Sequence, residues 1–256
     1  MVHNLIFYDI DMYMKIVKIF KDNSIYTVRV DDLKDKLRLT GFSLIKTVLT
    51  QIYIDKEYYS FFGKGHMYLN LDFSITNENI LRYINKYNIC TCDLFVIEDE
   101  ENQNNKIYNK YYFGDSIDSV IYKTTSIHSD MIEYVDDKVN KSLSKGKCKI
   151  KIDTDKLRNV FDILYYLDGA YFNVSGDILY INTDDFSFSL ICINKSCKKG
   201  NNIYKPNEVY HCLKNLPSDR VTLRFDEKTP LFIKSKYKGI AIEHTISPLH
   251  VVDKEM

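Results

Sequence analysis

Apolar residues recur at helical spacing in the stretch from Lys147 to Leu164, directly after a short strand of alternating character. Asp153 stands between the two as an N-cap, and Asp155 follows in the first turn, where the helix dipole favours a carboxylate. The pattern therefore predicts a strand, a capped helix start and one apolar helix face. That face consists of Leu157, Val160, Phe161 and Leu164.

The N-terminal stretch repeats this pattern. Leu5 to Phe7 predicts a strand, Asp9 an N-cap, and the residues from about Asp11 to Lys21 a helix. The two stretches align in cap, first-turn acid and core positions, which indicates a duplicated chain whose second copy starts near Lys147.

The rest of each half is rich in short strand patterns. A second helix is predicted to open at Thr76 and a fourth to run from about Asn207 to Leu216, with Gly41 to Lys46 as an exposed loop. Each half thus reads as helix, strands, helix and hairpin, which is typical of an α+β protein with two similar domains. The predicted strands are 25–30, 36–40, 47–54, 68–73, 91–98, 106–113, 120–125, 170–174, 178–182, 186–194, 221–226, 231–237 and 239–246.

The predicted division is an N-terminal domain over 1–125, a connector over 126–146 and a C-terminal domain over 147–256. The connector segment is polar and lacks a strand pattern. It can hold a short amphipathic helix after Ser129 and Asp130.

Composition excludes several classes of protein. Lys and Arg balance Asp and Glu at 35 each, which argues against a histone-like or tail-type nucleic-acid binder. No secretory signal and no bilayer-spanning apolar run is recognised. The six cysteines show no zinc spacing, so we expect reduced, buried or incidental thiols of an intracellular protein.

The sequence gives little support to an enzyme. It lacks a Gly-rich phosphate loop, a nucleophile elbow and a His-Glu metal motif. The pairs Asp9 with Asp11 and Asp153 with Asp155 lie at helix starts, where capping explains them better than metal binding. We therefore expect no catalytic residue, no metal site and no cofactor.

The order of elements and two stretches resemble the DNA sliding clamps of the proliferating cell nuclear antigen (PCNA) family. Residues 221–233, with Gly239 and the ending 245–248, resemble the family's C-terminal strand, acidic turn, strand and final proline. Residues 36–50 resemble its early strand, loop and strand. The resemblance extends from about Asn4 to Pro248 at low identity.

The resemblance implies a ring of three subunits in which helices line a central hole and sheets form the outside. Basic residues on the helices would then meet the phosphates of double-stranded DNA without reading bases, as sliding requires. The residues implied are Lys15, Lys18, Lys21, Arg82, Lys86, Lys156, Arg158 and Lys214.

The resemblance also implies a pocket for partner peptides, formed by the first-half loop, the connector, the last hairpin turn and the tail. Thr245 stands where the family has a tail aromatic, which predicts a shallower pocket. The residues implied are Phe42, Leu44, Lys46, Ile127, Met131, Ile132, Pro230, Ile246, Ser247 and Pro248.

The function implied is that of a polymerase processivity factor, with a DNA polymerase, other replication or repair proteins and a clamp loader as partners. We expect a homotrimer without membrane association, located in the nucleus or, for a viral protein, at a cytoplasmic replication site. The ring joint is predicted to pair an edge strand at 106–113 with one at 186–194. The alternative is a clamp-fold relative, either a subunit of a checkpoint-type heterotrimer or a monomeric viral processivity or late transcription factor.

Overall fold

The structure is a computed structural model that describes residues 4–63, 65–71, 90–99, 104–113, 118–123, 146–196 and 200–249. Within these residues the chain forms eighteen strands, three α-helices and one short 3-10 helix. The predicted second helix and most of the predicted connector lie outside the described residues. None of the three α-helices exceeds 13 residues or qualifies as a membrane span.

The chain packs into two compact units that do not follow one cut along the sequence. The N-terminal unit comprises Met1–Leu44, Gln51–Lys141 and Lys238–Ala241. The C-terminal unit comprises Ile45–Thr50, Ser142–Tyr237 and Ile242–Met256. The predicted domain limits place 45–50 in the N-terminal domain and 238–241 in the C-terminal domain. In the structure, 45–50 belongs to the C-terminal unit and 238–241 to the N-terminal unit.

In its described residues the N-terminal unit forms one α-helix and antiparallel strands. One sheet has the order β5-β1-β7-β8-β9, and β4, β3, β2 and β6 are neighbours in another. The elements are β1 (Asn4–Phe7), α1 (Ile10–Asp22), β2 (Thr27–Leu33), β3 (Lys36–Phe42), β4 (Val48–Asp55, from Gln51 in this unit), the 3-10 helix (Lys56–Tyr58), β5 (Tyr59–Phe62), β6 (His66–Asn70), β7 (Cys90–Asp99), β8 (Asn104–Phe113) and β9 (Asp118–Lys123).

The described residues of the C-terminal unit form two α-helices and two groups of strands. The strands β13, β12, β11 and β15 form one sheet in that order, and β14, β10, β16, β17 and β18 follow each other in the second. The elements are β10 (Cys148–Asp153), α2 (Thr154–Ile163), β11 (Ala170–Ser175), β12 (Ile178–Asn182), β13 (Ser187–Ile191), β14 (Asn194–Lys195), β15 (Gly200–Tyr204), α3 (Pro206–Lys214), β16 (Arg220–Phe225), β17 (Leu231–Tyr237) and β18 (Ile240–Ile246, from Ile242 in this unit).

Four aromatic rings form the centre of the C-terminal unit. Phe172 on β11 stacks on Phe161 of α2 with ring centroids 5.6 Å apart. Its ring also meets Tyr204 of β15 edge-on at 5.2 Å and Phe225 of β16 at 5.7 Å. All four side chains are at most 1% exposed. One cluster thus joins a helix to both sheets of the unit, and buried aromatic pairs of this kind stabilise beyond their area.

Both predicted helix starts are confirmed at the level of hydrogen bonds. The backbone N–H of Met12 donates to Asp9 Oδ1 at 3.0 Å, and that of Lys156 donates to Asp153 Oδ1 at 2.9 Å. Asp11 and Asp155 lie in the first turns, as predicted. These carboxylates therefore cap helices and complement their dipoles.

The prediction of an exposed loop from Gly41 to Lys46 is wrong for its first two residues. Gly41 and Phe42 end β3 and are buried, so the loop is confined to 43–47. A Cβ at Gly41 would lie 2.4 Å from Ile25 Cγ2, so the glycine serves close packing rather than a turn.

Strand β15 was not predicted because Gly-Asn-Asn is typical of a turn. In the structure Asn202 lies in the strand, and its side-chain amide donates to the carbonyls of Asp226 and Thr229, both at 2.8 Å. The amide is thus used for a long-range contact that local sequence does not reveal. The strands β5 and β14 were missed as well.

The prediction that the strand at 106–113 lies at the edge of its sheet is also wrong. This segment is β8, which lies between β7 and β9, so β9 forms that edge of its sheet. The predicted strand 186–194 is divided into β13 and β14. Between them, Ile193 N–H donates to the carbonyl of Lys151 on β10 at 2.8 Å.

The prediction of reduced thiols holds for Cys192 and Cys212 but is wrong for Cys148, which is disulfide-bonded.

A buried histidine in the C-terminal unit makes its stability depend on pH. His244 on β18 has no solvent exposure, and its Nδ1 lies 2.9 Å from Thr50 Oγ1. Burial disfavours the imidazolium and lowers the pKa of His244 to about 3. Since the pKa of an exposed histidine is about 6.5, the unfolded chain binds one more proton between these two pH values.

We predict that protonation of His244 contributes a loss of stability as pH falls below about 6.5, approaching 1.4 kcal/mol per pH unit until the folded pKa is reached. His244→Asn should flatten the pH dependence of the free energy of unfolding in this range. His66, which is exposed on β6, provides the matched control His66→Asn. Urea denaturation at several pH values measures the effect, and equal slopes for wild type and His244→Asn would contradict it.

Candidate nucleic-acid interface and partner surface

Helix α1 presents a basic stripe to solvent. Asp11, Lys15, Lys18 and Lys21 are exposed and recur at spacings of three and four, so they share one helix face. On the other faces, Ile16, Val17 and Phe20 are at most 1% exposed. Three predicted DNA-binding residues are therefore brought together on one surface, which carries a net positive charge.

The basic residues on the helices of the C-terminal unit are more dispersed. Lys156 is exposed in the first turn of α2, and Lys214 is exposed in the last turn of α3. Asp155 and Asp162 are also exposed on α2, so the local charge of this helix is close to balanced. Arg82 and Lys86 lie outside the described residues.

Arg158 has a structural role that its sequence position did not reveal. Its Nε and one terminal nitrogen donate to the carbonyls of Leu213 and Leu216 at 3.2 Å each. Its other terminal nitrogen pairs with Asp155 Oδ1 at 2.6 Å, and the side chain is only 26% exposed. The guanidinium thus satisfies carbonyls at the C-terminal end of α3, where a cation also complements the helix dipole.

The predicted partner-binding residues divide by exposure. Phe42 is 5% exposed and Ile246 is 0% exposed, so neither side chain is presented to solvent. Leu44 is 55% exposed, and Ile45, which sequence reasoning missed, is 67% exposed. Lys46 and Ser247 are exposed, and Pro230 and Pro248 are half-buried. Ile127, Met131 and Ile132 lie outside the described residues.

Within the C-terminal unit, the loop and the tail meet at Thr47. The carbonyl of Thr47 accepts a hydrogen bond from Ser247 N–H at 2.9 Å. Its hydroxyl donates to Glu208 Oε1 of α3 at 2.7 Å. Burial raises the pKa of Glu208, and the hydroxyl hydrogen bond opposes this shift. Thr47 thus fixes the loop next to the tail, as the predicted pocket requires for these two segments.

The tail also covers one edge of the four-stranded sheet. Leu249 N–H donates to the carbonyl of Ile203 on β15 at 2.9 Å. Among the described strands, the opposite edge strand, β13, has only β12 as a neighbour in its sheet. Ile191 at its end is 78% exposed. In this sheet β13 therefore offers backbone groups for pairing with a further strand.

Sequence reasoning missed a second basic surface, on the solvent face of the strands β10, β16 and β17. Alternate charged residues in these strands are the signal that could have found it. Its cations are Lys149, Lys151, Arg220, Arg224, Lys234 and Lys236.

In the part of the chain that the structure describes, no group of three or more His, Cys, Asp or Glu side chains is arranged to hold a metal ion.

Comparisons with known proteins identify the fold. No protein-family model and no curated protein matches the sequence. The PCNA2–PCNA3 complex of Sulfolobus tokodaii matches with a TM-score of 0.64 and 20% identity, over 96% of this chain and 98% of the other. PCNA of Thermococcus kodakaraensis matches with a TM-score of 0.65 and 13% identity, over 96% and 100%. The chain therefore has the α+β fold of PCNA-type sliding clamps, as the sequence resemblance predicted.

We predict that Arg158 and Lys156 respond differently to truncation. Arg158→Ala removes two hydrogen bonds to helix-end carbonyls and should lower the free energy of unfolding by about 1–3 kcal/mol. Lys156→Ala, two residues away and exposed, should change it by less than about 0.5 kcal/mol. Urea denaturation of the two variants measures the difference. Equal effects would show that the contacts of the Arg158 guanidinium do not stabilise the unit.

Proposed function

We propose that the chain is a DNA sliding clamp, a processivity factor that encircles duplex DNA and tethers a DNA polymerase. The observation that carries this proposal is the exposed lysine stripe of α1 on a chain with the fold of PCNA-type clamps. A clamp must attract phosphates without reading bases, and a row of lysines on a rigid helix meets that need. The clamp acts as a scaffold, and no chemistry is assigned to it.

The proposed assembly is a ring of three copies joined by edge strands. The β9 edge of one copy would pair with the β13 edge of the next, which replaces the joint predicted from sequence. Such a head-to-tail contact closes a ring when its rotation fits, and closure removes exposed edges that otherwise promote aggregation. The alternative, a mixed ring with related subunits, is supported by the likeness to a PCNA2–PCNA3 complex.

Partner proteins are proposed to dock on the loop at 43–47. Leu44 and Ile45 are exposed apolar residues in this loop, whereas Phe42 is packed inside. Anchors of binding energy must be accessible in the free protein, so Leu44 replaces Phe42 as the proposed anchor. The proposed partners are the replicative polymerase and a loader that opens the ring.

We predict that the chain is a trimer of about 91 kDa in solution, three times the chain mass of 30.2 kDa. Ile191→Asp places a charge on the free β13 edge and should shift the mass toward the monomer at micromolar concentration, with the fold intact. Ile163→Asp is the control, because Ile163 is also exposed, at 57%, but lies on helix α2 and not on β13. Multi-angle light scattering measures the masses.

A wild-type mass of one chain would contradict the homotrimer and favour the alternative of a monomeric or mixed-ring relative. A trimer that is equally weakened by both variants would remove β13 from the joint.

We predict that Lys15→Gln with Lys18→Gln weakens duplex binding and reduces the salt slope of log K by about two, since each phosphate contact contributes about 0.9. Loss of two charges elsewhere should change the slope much less. The control is Lys34→Gln with Lys36→Gln, two exposed lysines around the turn between β2 and β3. Fluorescence anisotropy with labelled duplexes of unrelated sequence measures both effects. An unchanged slope in the helix variant would remove α1 from the DNA surface.

A further inference from the structure

The solvent face of the sheet in the C-terminal unit is more basic than the helices of that unit. Three neighbouring strands, β10, β16 and β17, contribute six cations to one open cleft of about 670 Å³. We call this surface the basic sheet face. Its residues are Lys149, Lys151, Arg220, Arg224, Lys234 and Lys236.

The register of the strands places these cations side by side. Lys149 lies directly opposite Arg224 across β10 and β16, and Lys234 lies opposite Thr222 across β17 and β16. Lys151 is the other cross-strand partner of Thr222, so two lysines flank one threonine. Like charges on adjacent strands destabilise a sheet, which makes this arrangement costly without a counter-charge.

The described residues supply only part of that counter-charge. Lys234 Nζ pairs with Glu243 on β18. Among the described residues, none of the other five cations of the basic sheet face takes part in an ion pair. The face therefore carries a surplus of positive charge on a chain whose formal net charge is zero.

Protection of a sheet edge does not explain these lysines. Cations on edge strands commonly prevent unwanted strand pairing, but β10, β16 and β17 each have a strand on both sides. A solvated interior strand needs only polar residues such as Thr222, and not a concentration of one sign. The surplus charge thus indicates a ligand of opposite charge.

We propose that the basic sheet face binds an acidic segment, rich in Asp and Glu, of a partner protein. The planar guanidinium of Arg and the ammonium of Lys both pair with carboxylates, and complementary potentials steer such partners to the surface. This site is separate in sequence and element from the helices proposed for DNA and does not depend on the clamp function.

Two observations favour an acidic peptide over a nucleic-acid strand. Single-stranded binders stack bases on accessible aromatic rings, and the aromatic residue that lines this cleft, Phe232, is only 8% exposed. The cleft lining also includes the carboxylates of Asp219 and Glu243. A phosphate backbone, with a charge on every nucleotide, would meet them, whereas a peptide can place neutral residues there.

The test uses the full chain and fluorescence anisotropy with labelled octaglutamate, octaglutamine and an oligothymidine of the same length. Wild type should bind octaglutamate in a salt-dependent manner and octaglutamine not at all. Lys149→Gln with Lys236→Gln should weaken octaglutamate binding about tenfold or more. A second pair on the same face, Lys151→Gln with Arg220→Gln, should have the same effect.

The matched control is Lys156→Gln with Lys214→Gln, which removes the same charge from the helices of the same unit and should leave octaglutamate binding unchanged. The free energy of unfolding of the sheet variants should not fall, because like-charged neighbours are removed. Absence of octaglutamate binding by wild type, or equal loss in the helix control, would overturn the proposal. Tighter binding of oligothymidine that the sheet variants abolish would assign the face to nucleic acid instead.

Discussion

The packing of Phe172 against Phe161, Tyr204 and Phe225 is the contact on which the C-terminal unit depends most. These rings join α2 to both sheets of the unit, with centroid distances of 5.2 to 5.7 Å from Phe172. Because that cluster fixes the inward side of α2, Lys156 and Asp162 remain on its solvent side. The surfaces available for binding are therefore consequences of how the core is packed.

Each unit has one solvent-exposed face on which cations are concentrated. In the N-terminal unit it is a face of α1, and in the C-terminal unit it is the basic sheet face. A formal net charge of zero conceals a lysine stripe on α1 and six cations on the basic sheet face. Charge balance over the whole sequence excluded a tail-like binder but gave no information on local fields, which depend on which residues the fold places together. The proposed DNA surface and the proposed acidic-partner surface both follow from this segregation.

Local signals predicted the helix starts well, because an N-cap and its helix lie within a few residues of each other. Asp9 and Asp153 were identified as caps, and the hydrogen bonds confirm both. The order of elements, taken with the family resemblance, was sufficient to predict the clamp fold. Local sequence patterns thus predicted the three described α-helices and most of the described strands.

Features that depend on distant residues could not be predicted in this way. Arg158 looked like a phosphate ligand, but its partners are carbonyls more than fifty residues along the chain. The family resemblance placed Phe42 in an exposed loop as a partner-binding residue, yet Phe42 ends β3 and is 5% exposed, and Gly41 before it packs against Ile25. The basic sheet face requires the cross-strand register, which a single strand does not contain.

The proposed function depends on encirclement of DNA by a closed ring, which retention on closed circular DNA measures. The protein is loaded onto a nicked circular plasmid, washed at high salt to remove electrostatic binding, and the plasmid is then cut once. A closed ring should remain on the circle after the wash and be released when the DNA becomes linear. Equal retention on circular and linear DNA, or retention on neither, would contradict the account.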